Sequence, residues 1–334
     1  MLVRHPLLRD TRGANLVEYI LCVGLVAIVA LAGVRMLGDK TRAKVEAQAA
    51  CVTSLDCAGN GAAATGPGTT ADGRPLVKAE PKFDIDAAKG ATYQAAPGKP
   101  FIAGNGDGRD IHPSDISQGQ IGDCYLMSSL AAVANGNPDI IKNNIKDNGD
   151  GTYTVTFYER GIFGTSKVDV KVKGEFPNKD GRWVFAQPGD TNNGQLELWP
   201  MIYEKAYAKY KGGDYKKIGK GGRPEDAMTA ITGQPGDWHR TRGVIWDMSF
   251  SDFAGYFDKN LVVANTRGDG DKGKQVFKDG TLVTNHAYWV EKIDKTNQTV
   301  TVRNPWGWNE KPITLTWDQF KQGFDNISTN TRKP

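Results

Sequence analysis

Residues 118–136 read QGQIGDCYLMSSLAAVANG, a polar Gln/Gly/Asp turn that gives way at Cys124 to an apolar, alanine-rich run. Leu126, Leu130 and Val133 recur at helical spacing and NGNP at 135–138 is a stop signal, so the pattern predicts a helix of about three turns beginning at Cys124. The thiol then sits at a helix N-terminus, where unpaired backbone N–H groups and the positive end of the dipole favour the nucleophilic thiolate. The competing reading is a small, inert core cysteine, since free Cys is among the most buried residue types.

A thiolate used in catalysis needs a base to shuttle its proton and a third group to orient that base. The chain has four histidines. His5 precedes an apolar segment, and His112 and His239 lie in polar, loop-like stretches. His286 differs: NHAYWVEKI opens a strand-like run that a short DKTNQ turn joins to TVTVRNPWGW. Residues that open one strand and close its hairpin partner can be spatial neighbours. That puts Asn304 within reach of His286, with its side-chain carbonyl able to fix the ring tautomer and Trp306 able to cover the pair from water.

With the order Cys, His, Asn in place, the sequence resembles the calpain-like cysteine peptidases, whose core is papain-like. The segments DISQGQIGDCYLMSSLAAVA, NHAYWV and VRNPWG carry the likeness, together with ELWPMIYEKAYAKYKGG at 197–213 and GGRPEDAMTAITG at 221–233. The resemblance implies Cys124 as nucleophile, His286 as general base and acid, and Asn304 as orienter. It also implies Gln118 as an oxyanion-hole donor beside the Cys124 backbone N–H, worth on the order of 3 kcal/mol per donor. The implied reaction is endopeptidase hydrolysis of a protein or peptide through an acyl-enzyme, with no organic cofactor. Tyr125 stands where many relatives have Trp, and Asn285 where many have Gly before His.

The intervening chain fits an α+β domain of two lobes, one helical and one of antiparallel strands, over 105–330. Trp199, Ile202, Tyr203, Ala206, Tyr207 and Tyr210 form a helical stripe read as core packing. TYTVTFYE and KVDVKVKG alternate as half-buried strands do, and LVVANT, AYWVEKI, TVTVRN and ITLTW supply the second lobe. The resemblance further implies a calcium ion held by Asp115, Glu197 and nearby carbonyls; oxygen-only ligation suits calcium, and GNGDGRD at 104–110 is flexible, carbonyl-bearing backbone. For each carboxylate the competing reading is a turn or helix cap. Only eight residues separate Asn304 from Ile313, so the family's second calcium loop is not expected.

The N-terminus points elsewhere. RGANLVEYILCVGLVAIVALAGV places Glu18 inside an apolar run, and residues 14–34 suffice to cross a bilayer core of about 30 Å as a transmembrane helix. Arg4, Arg9 and Arg12 keep the leader cytoplasmic and the remainder outside. The stretch resembles the prepilin segment of Flp-type type IV pilins: a basic leader at 1–13 ending in Gly13, a new N-terminus at Ala14, and the pair Glu18-Tyr19. It implies a prepilin peptidase and other pilin subunits as partners, a pilin-like segment at 14–57, and a catalytic domain that is membrane-anchored on the extracytoplasmic side, pilus-associated or secreted. Cys51 and Cys57 are close enough for a disulfide loop in an oxidising compartment, which leaves Cys124 as the unpaired thiol of the soluble part. Residues 58–104, rich in Gly, Ala, Pro and Thr, read as a flexible linker. A net charge of +4 over 334 residues gives no reason to expect nucleic acid. A non-catalytic minor pilin or adhesin, with a calpain-like domain that binds without cutting, is the alternative to the enzyme.

Overall fold

The computed structural model describes residues 79–103, 109–161, 164–243, 246–271 and 273–332. The leader, the apolar segment with Glu18 and Cys22, the Cys51/Cys57 pair and residues 58–78 lie outside them. Among the described residues, no helix is long and apolar enough to cross a membrane.

Two hydrophobic cores share one sheet. Its six antiparallel strands run in the order Gly236–Arg240, Phe324–Thr331, Asn260–Thr266, Ala287–Asp294, Thr299–Arg303, Ile313–Thr316. Leu261, Val263, Ala287 and Trp289 turn into the core of the helical lobe. Their alternates Val262, Ala264, Tyr288 and Val290 turn into a second core with the helices Phe250–Lys259 and Trp317–Gly323. Burial on both faces explains why LVVA and AYWV are unbroken apolar runs and not an alternation.

The helical lobe gathers Cys124–Gly136, Pro138–Asn144, Trp199–Tyr210 and Pro224–Thr232. They share a core with the antiparallel pair Thr152–Gly161 and Gly164–Lys173, whose inward residues Tyr153, Val155, Phe157, Val168, Val170 and Val172 alternate as their sequence predicts. The Cys124–Gly136 helix packs directly on the shared sheet. Ser128 Oγ donates to the Ala287 carbonyl at 2.8 Å across that contact, which ties the helix that begins at Cys124 to the strand that follows His286.

Two expectations need correction. The Trp199–Tyr210 helix is buried on every face and not along one stripe, because its charged residues have interior partners: Lys205 Nζ donates to the carbonyls of Lys173 and Glu175 and pairs with Glu80 at 2.6 Å. The linker also ends sooner than residue 104. Thr92–Ala95 pairs antiparallel with Glu175–Lys179, and Gly98–Lys99 pairs parallel with Gln195–Glu197. Edge pairing, the Glu80 ion pairs and scattered apolar contacts from Phe83, Ala88 and Phe101 hold this strap, and none leaves an apolar period in the sequence.

Candidate active site

Cys124 is the first residue of its helix, as the sequence predicts. It is the free cysteine among the described residues and is half-buried. Burial pushes its thiol up, the Ala287 backbone N–H pulls it part of the way back, and the neighbouring Asp123 raises it again. Beside the helix terminus that the sequence singled out, burial is the largest influence on this sulfur, and it works against the thiolate.

His286 is buried at the head of the Ala287–Asp294 strand. Its Nε2 lies 2.8 Å from Asn304 Oδ1, just past the end of the hairpin partner Thr299–Arg303. The Trp306 backbone N–H also donates to Asn304 Oδ1, at 3.3 Å. A backbone N–H can only donate, so that atom is the amide oxygen, and His286 must carry its proton on Nε2. Nδ1 is then left with a lone pair. Burial lowers the pKa of the ring, against a raising contribution from Asn304, so the imidazole is neutral at pH 7. Trp306 lies against the ring at 5.1 Å between centroids. Its turn is joined to the segment before Cys124 by Gln118 N–H to Pro305 O, at 2.8 Å, and Ser117 Oγ to Trp306 O, at 3.2 Å.

Cys124 and His286 line one cleft of about 530 Å³ between the lobes. Gln118 does not face it. Its Nε2 donates to the Ile121 carbonyl at 2.6 Å and to Asp123 Oδ1 at 3.1 Å, which uses both hydrogens, and its Oε1 is buried without a partner. Service as an oxyanion donor requires this amide to turn.

Sequence reasoning missed the group behind Cys124. Asp123, at the helix N-cap, makes no capping bond and is buried against Glu204. Glu204 Oε1 accepts the Ala186 N–H at 3.0 Å, while Asp123 Oδ2 has no donor other than a proton on the facing carboxyl. Both acids are raised, first by desolvation, and two buried carboxyls in contact hold a proton between them. Glu204 lies three residues before Tyr207 on the aromatic helix, a position beside the core, but nothing local names Asp123 as its partner.

Asp115 and Glu197 are brought together. Both are buried, and a Cβ on Gly189 would touch both side chains. Glu197 accepts backbone N–H groups from Ile102 (2.9 Å) and Asp190 (3.3 Å); Asp115 Oδ2 accepts from His112 N–H (2.7 Å) and Trp199 Nε1–H (3.0 Å). Burial, and then the charge of Asp115, raises Glu197. Adjacent carboxylates shielded from water fit a hard cation with oxygen preference.

Neither departure from the familiar pattern removes a reacting group. Asn285 has φ of 53°, a left-handed backbone that Asn tolerates better than most residues, which is why it can stand in place of Gly before the histidine. Tyr125 packs so closely under Gly222 that a Cβ there would lie 2.5 Å from the ring. Of the other histidines, His112 caps a short turn and His239 stacks on Tyr256 at 4.0 Å; neither lines the cleft. His5 lies outside the described residues.

An α+β domain with a cysteine and a buried, amide-held histidine on one cleft defines the geometry of a cysteine hydrolase. The sequence pattern of the calpain family of cysteine proteases matches residues 105–334. The chain belongs to that family. It is 29% identical over 212 residues to calpain-9 of Mus musculus (59% of this chain, 29% of the relative) and 26% identical over 229 residues to the calpain-1 catalytic subunit of Homo sapiens (66% and 30%). It is also 29% identical over 227 residues to the calpain-type cysteine protease ADL1 of Oryza sativa subsp. japonica (64% and 10%). The chain thus spans less than a third of the length of these relatives.

Proposed function

We propose that this chain is a cysteine endopeptidase of papain-like fold acting through Cys124, His286 and Asn304. The observation that carries the reading is the shared cleft, in which the sulfur and an imidazole with a fixed tautomer face one space. Cys124 Sγ gives its proton to His286 Nδ1 as it attacks the peptide carbonyl carbon, and the C–O π pair moves to oxygen. The Cys124 N–H, and Gln118 once its amide turns outward, stabilise that oxyanion. As the tetrahedral species collapses the C–N bond breaks, His286 protonates the departing amine, and a thioester remains. Water, deprotonated by His286, then hydrolyses the thioester and restores the thiol. Asn304 holds the imidazolium that forms in each half-reaction.

Asp115 and Glu197 would hold calcium; the ion would supply charge neutralisation that locks this part of the helical lobe. The N-terminal residues add a tether: a leader cut after Gly13 by a prepilin peptidase, Glu18 meeting the freed amine of a neighbouring pilin subunit, and the catalytic domain displayed outside the membrane or on a pilus. The second reading, a pilin-like binding protein that does not cut, draws on the inward-turned Gln118 and on the burial that raises the Cys124 thiol.

The test incubates the full-length chain with casein and with a thiol-directed epoxide, with and without calcium, beside Cys124→Ala. Hydrolysis and labelling confined to the wild type are expected. Their absence under every condition would favour the binding reading, and their persistence in the variant would reject Cys124. Calcium should also raise the melting temperature, and Glu197→Gln should remove that rise.

A further inference from the structure

Lys220 and Arg240 enter the catalytic cleft from opposite lobes. Lys220 belongs to the glycine-rich turn between the helices Tyr215–Ile218 and Pro224–Thr232, whereas Arg240 ends the outermost strand of the six-stranded sheet. Both are exposed and both line the space that Cys124 and His286 line. The acidic residues of that lining are already engaged. Glu225 is buried, paired with Arg223, and accepts Ser328 Oγ–H at 2.6 Å; Asp325 takes Arg267 Nη1 at 3.1 Å. Neither Lys220 nor Arg240 has a carboxylate partner among the described residues. Arg240 lies 5.8 Å from the Trp238 ring centroid, a contact that steadies the guanidinium without satisfying its N–H fork.

A cleft with two uncompensated cations attracts anions and repels cations, and a guanidinium fork matches a carboxylate in two parallel hydrogen bonds. Placing the charges on both walls constrains where along an extended peptide the anion can lie. We infer that the cleft selects peptides carrying an acidic side chain near the scissile bond, gripped between Lys220 and Arg240. The inference rests on the peptidase reading of this cleft and names its substrate class. It adds a repulsive side as well: a lysine at the same position meets two like charges, so discrimination comes from rejection as much as attraction.

The test uses a peptide series in which Glu, Gln or Lys is placed in turn at each position flanking one cleavable bond. Binding is measured to full-length Cys124→Ala, which cannot turn the peptides over, and hydrolysis is followed in parallel with the wild type. At one position or an adjacent pair, the Glu peptide should bind roughly tenfold more tightly than the Gln peptide and the Lys peptide more weakly, with the advantage shrinking as salt is raised. Lys220→Gln should reduce the preference and Lys220→Glu combined with Arg240→Glu should reverse it. Equal binding at every position, no binding, or a Glu preference untouched by the charge reversal would overturn the inference. Preference in binding without hydrolysis removes the peptidase reading and leaves charge selection standing; hydrolysis without preference does the opposite.

Discussion

The two walls of the cleft are prepared to different degrees. On the sheet side, Nε2 of His286 and the oxygen of Asn304 are satisfied by each other and by a backbone N–H, and the ring has one available tautomer. On the helical side, Cys124 sits beside a buried acid pair and beside an amide whose two hydrogens are spent inward, with Gln118 Oε1 lacking a protein donor. His286 is preset; Cys124 and Gln118 are not. An unpaired polar atom in a low-dielectric interior costs about 1–3 kcal/mol. That places the free energy available for a conformational step around residues 118–124 and not in the hairpin.

The largest expected effect breaks the finished wall: His286→Ala should lower hydrolysis by on the order of 10⁴-fold with the fold intact, read from kcat and from circular dichroism. Retained turnover would remove the imidazole from the reaction. Next, Gln118→Ala should cost about 10²-fold in kcat. If Gln118 never turns outward, kcat will hold while the melting temperature changes, because only its inward contacts are lost.

A smaller effect isolates the acid pair. Asp123 and Glu204 have raised pKa values in the folded protein, so the folded state holds a proton that the unfolded chain releases above the usual carboxylate range. Their contribution to stability is complete below about pH 4 and is lost as pH rises through the raised values, at about 1.4 kcal/mol for each pH unit over which the extra proton is retained. Glu204→Gln keeps a donor toward Asp123 without that proton. Urea midpoints between about pH 5 and 8 should therefore slope less steeply in the variant than in the wild type, and parallel slopes would refute a shared proton. The smallest effect concerns the backbone before the base: Asn285→Val should cost about 1–2 kcal/mol through its left-handed φ, while Asn285→Gly should be close to neutral.

The same contrast divides what could be read from the sequence. The nucleophile's helix and the hairpin that joins His286 to Asn304 were legible because their signals are local: a 3.6-residue period with a stop, and two apolar runs about one short turn. The strands LVVANT and AYWVEKI were legible too, although their unbroken apolarity concealed that they serve two cores. What escaped notice depends on partners distant in the chain. Glu204 faces Asp123, Glu80 reaches Lys205 and Lys209, and the strap at 92–99 borrows strands that come some eighty to one hundred residues later. Composition marked that strap as linker because edge pairing needs only backbone and its few apolar contacts are scattered and not periodic. The burial that acts on the thiol was hidden for a related reason. Position at a helix terminus is visible in sequence, whereas burial beside a second acid is not.

The most direct test of this asymmetry is the pH dependence of Cys124 alkylation by iodoacetamide in the full-length chain, with the modified peptide quantified by mass spectrometry. A raised thiol beside a lowered imidazole predicts a rate that keeps climbing through and above about pH 8.5, with no plateau in the acidic or neutral range. A plateau already reached below about pH 6.5 would mean that sulfur and ring stand as an ion pair before substrate arrives, and would contradict the account.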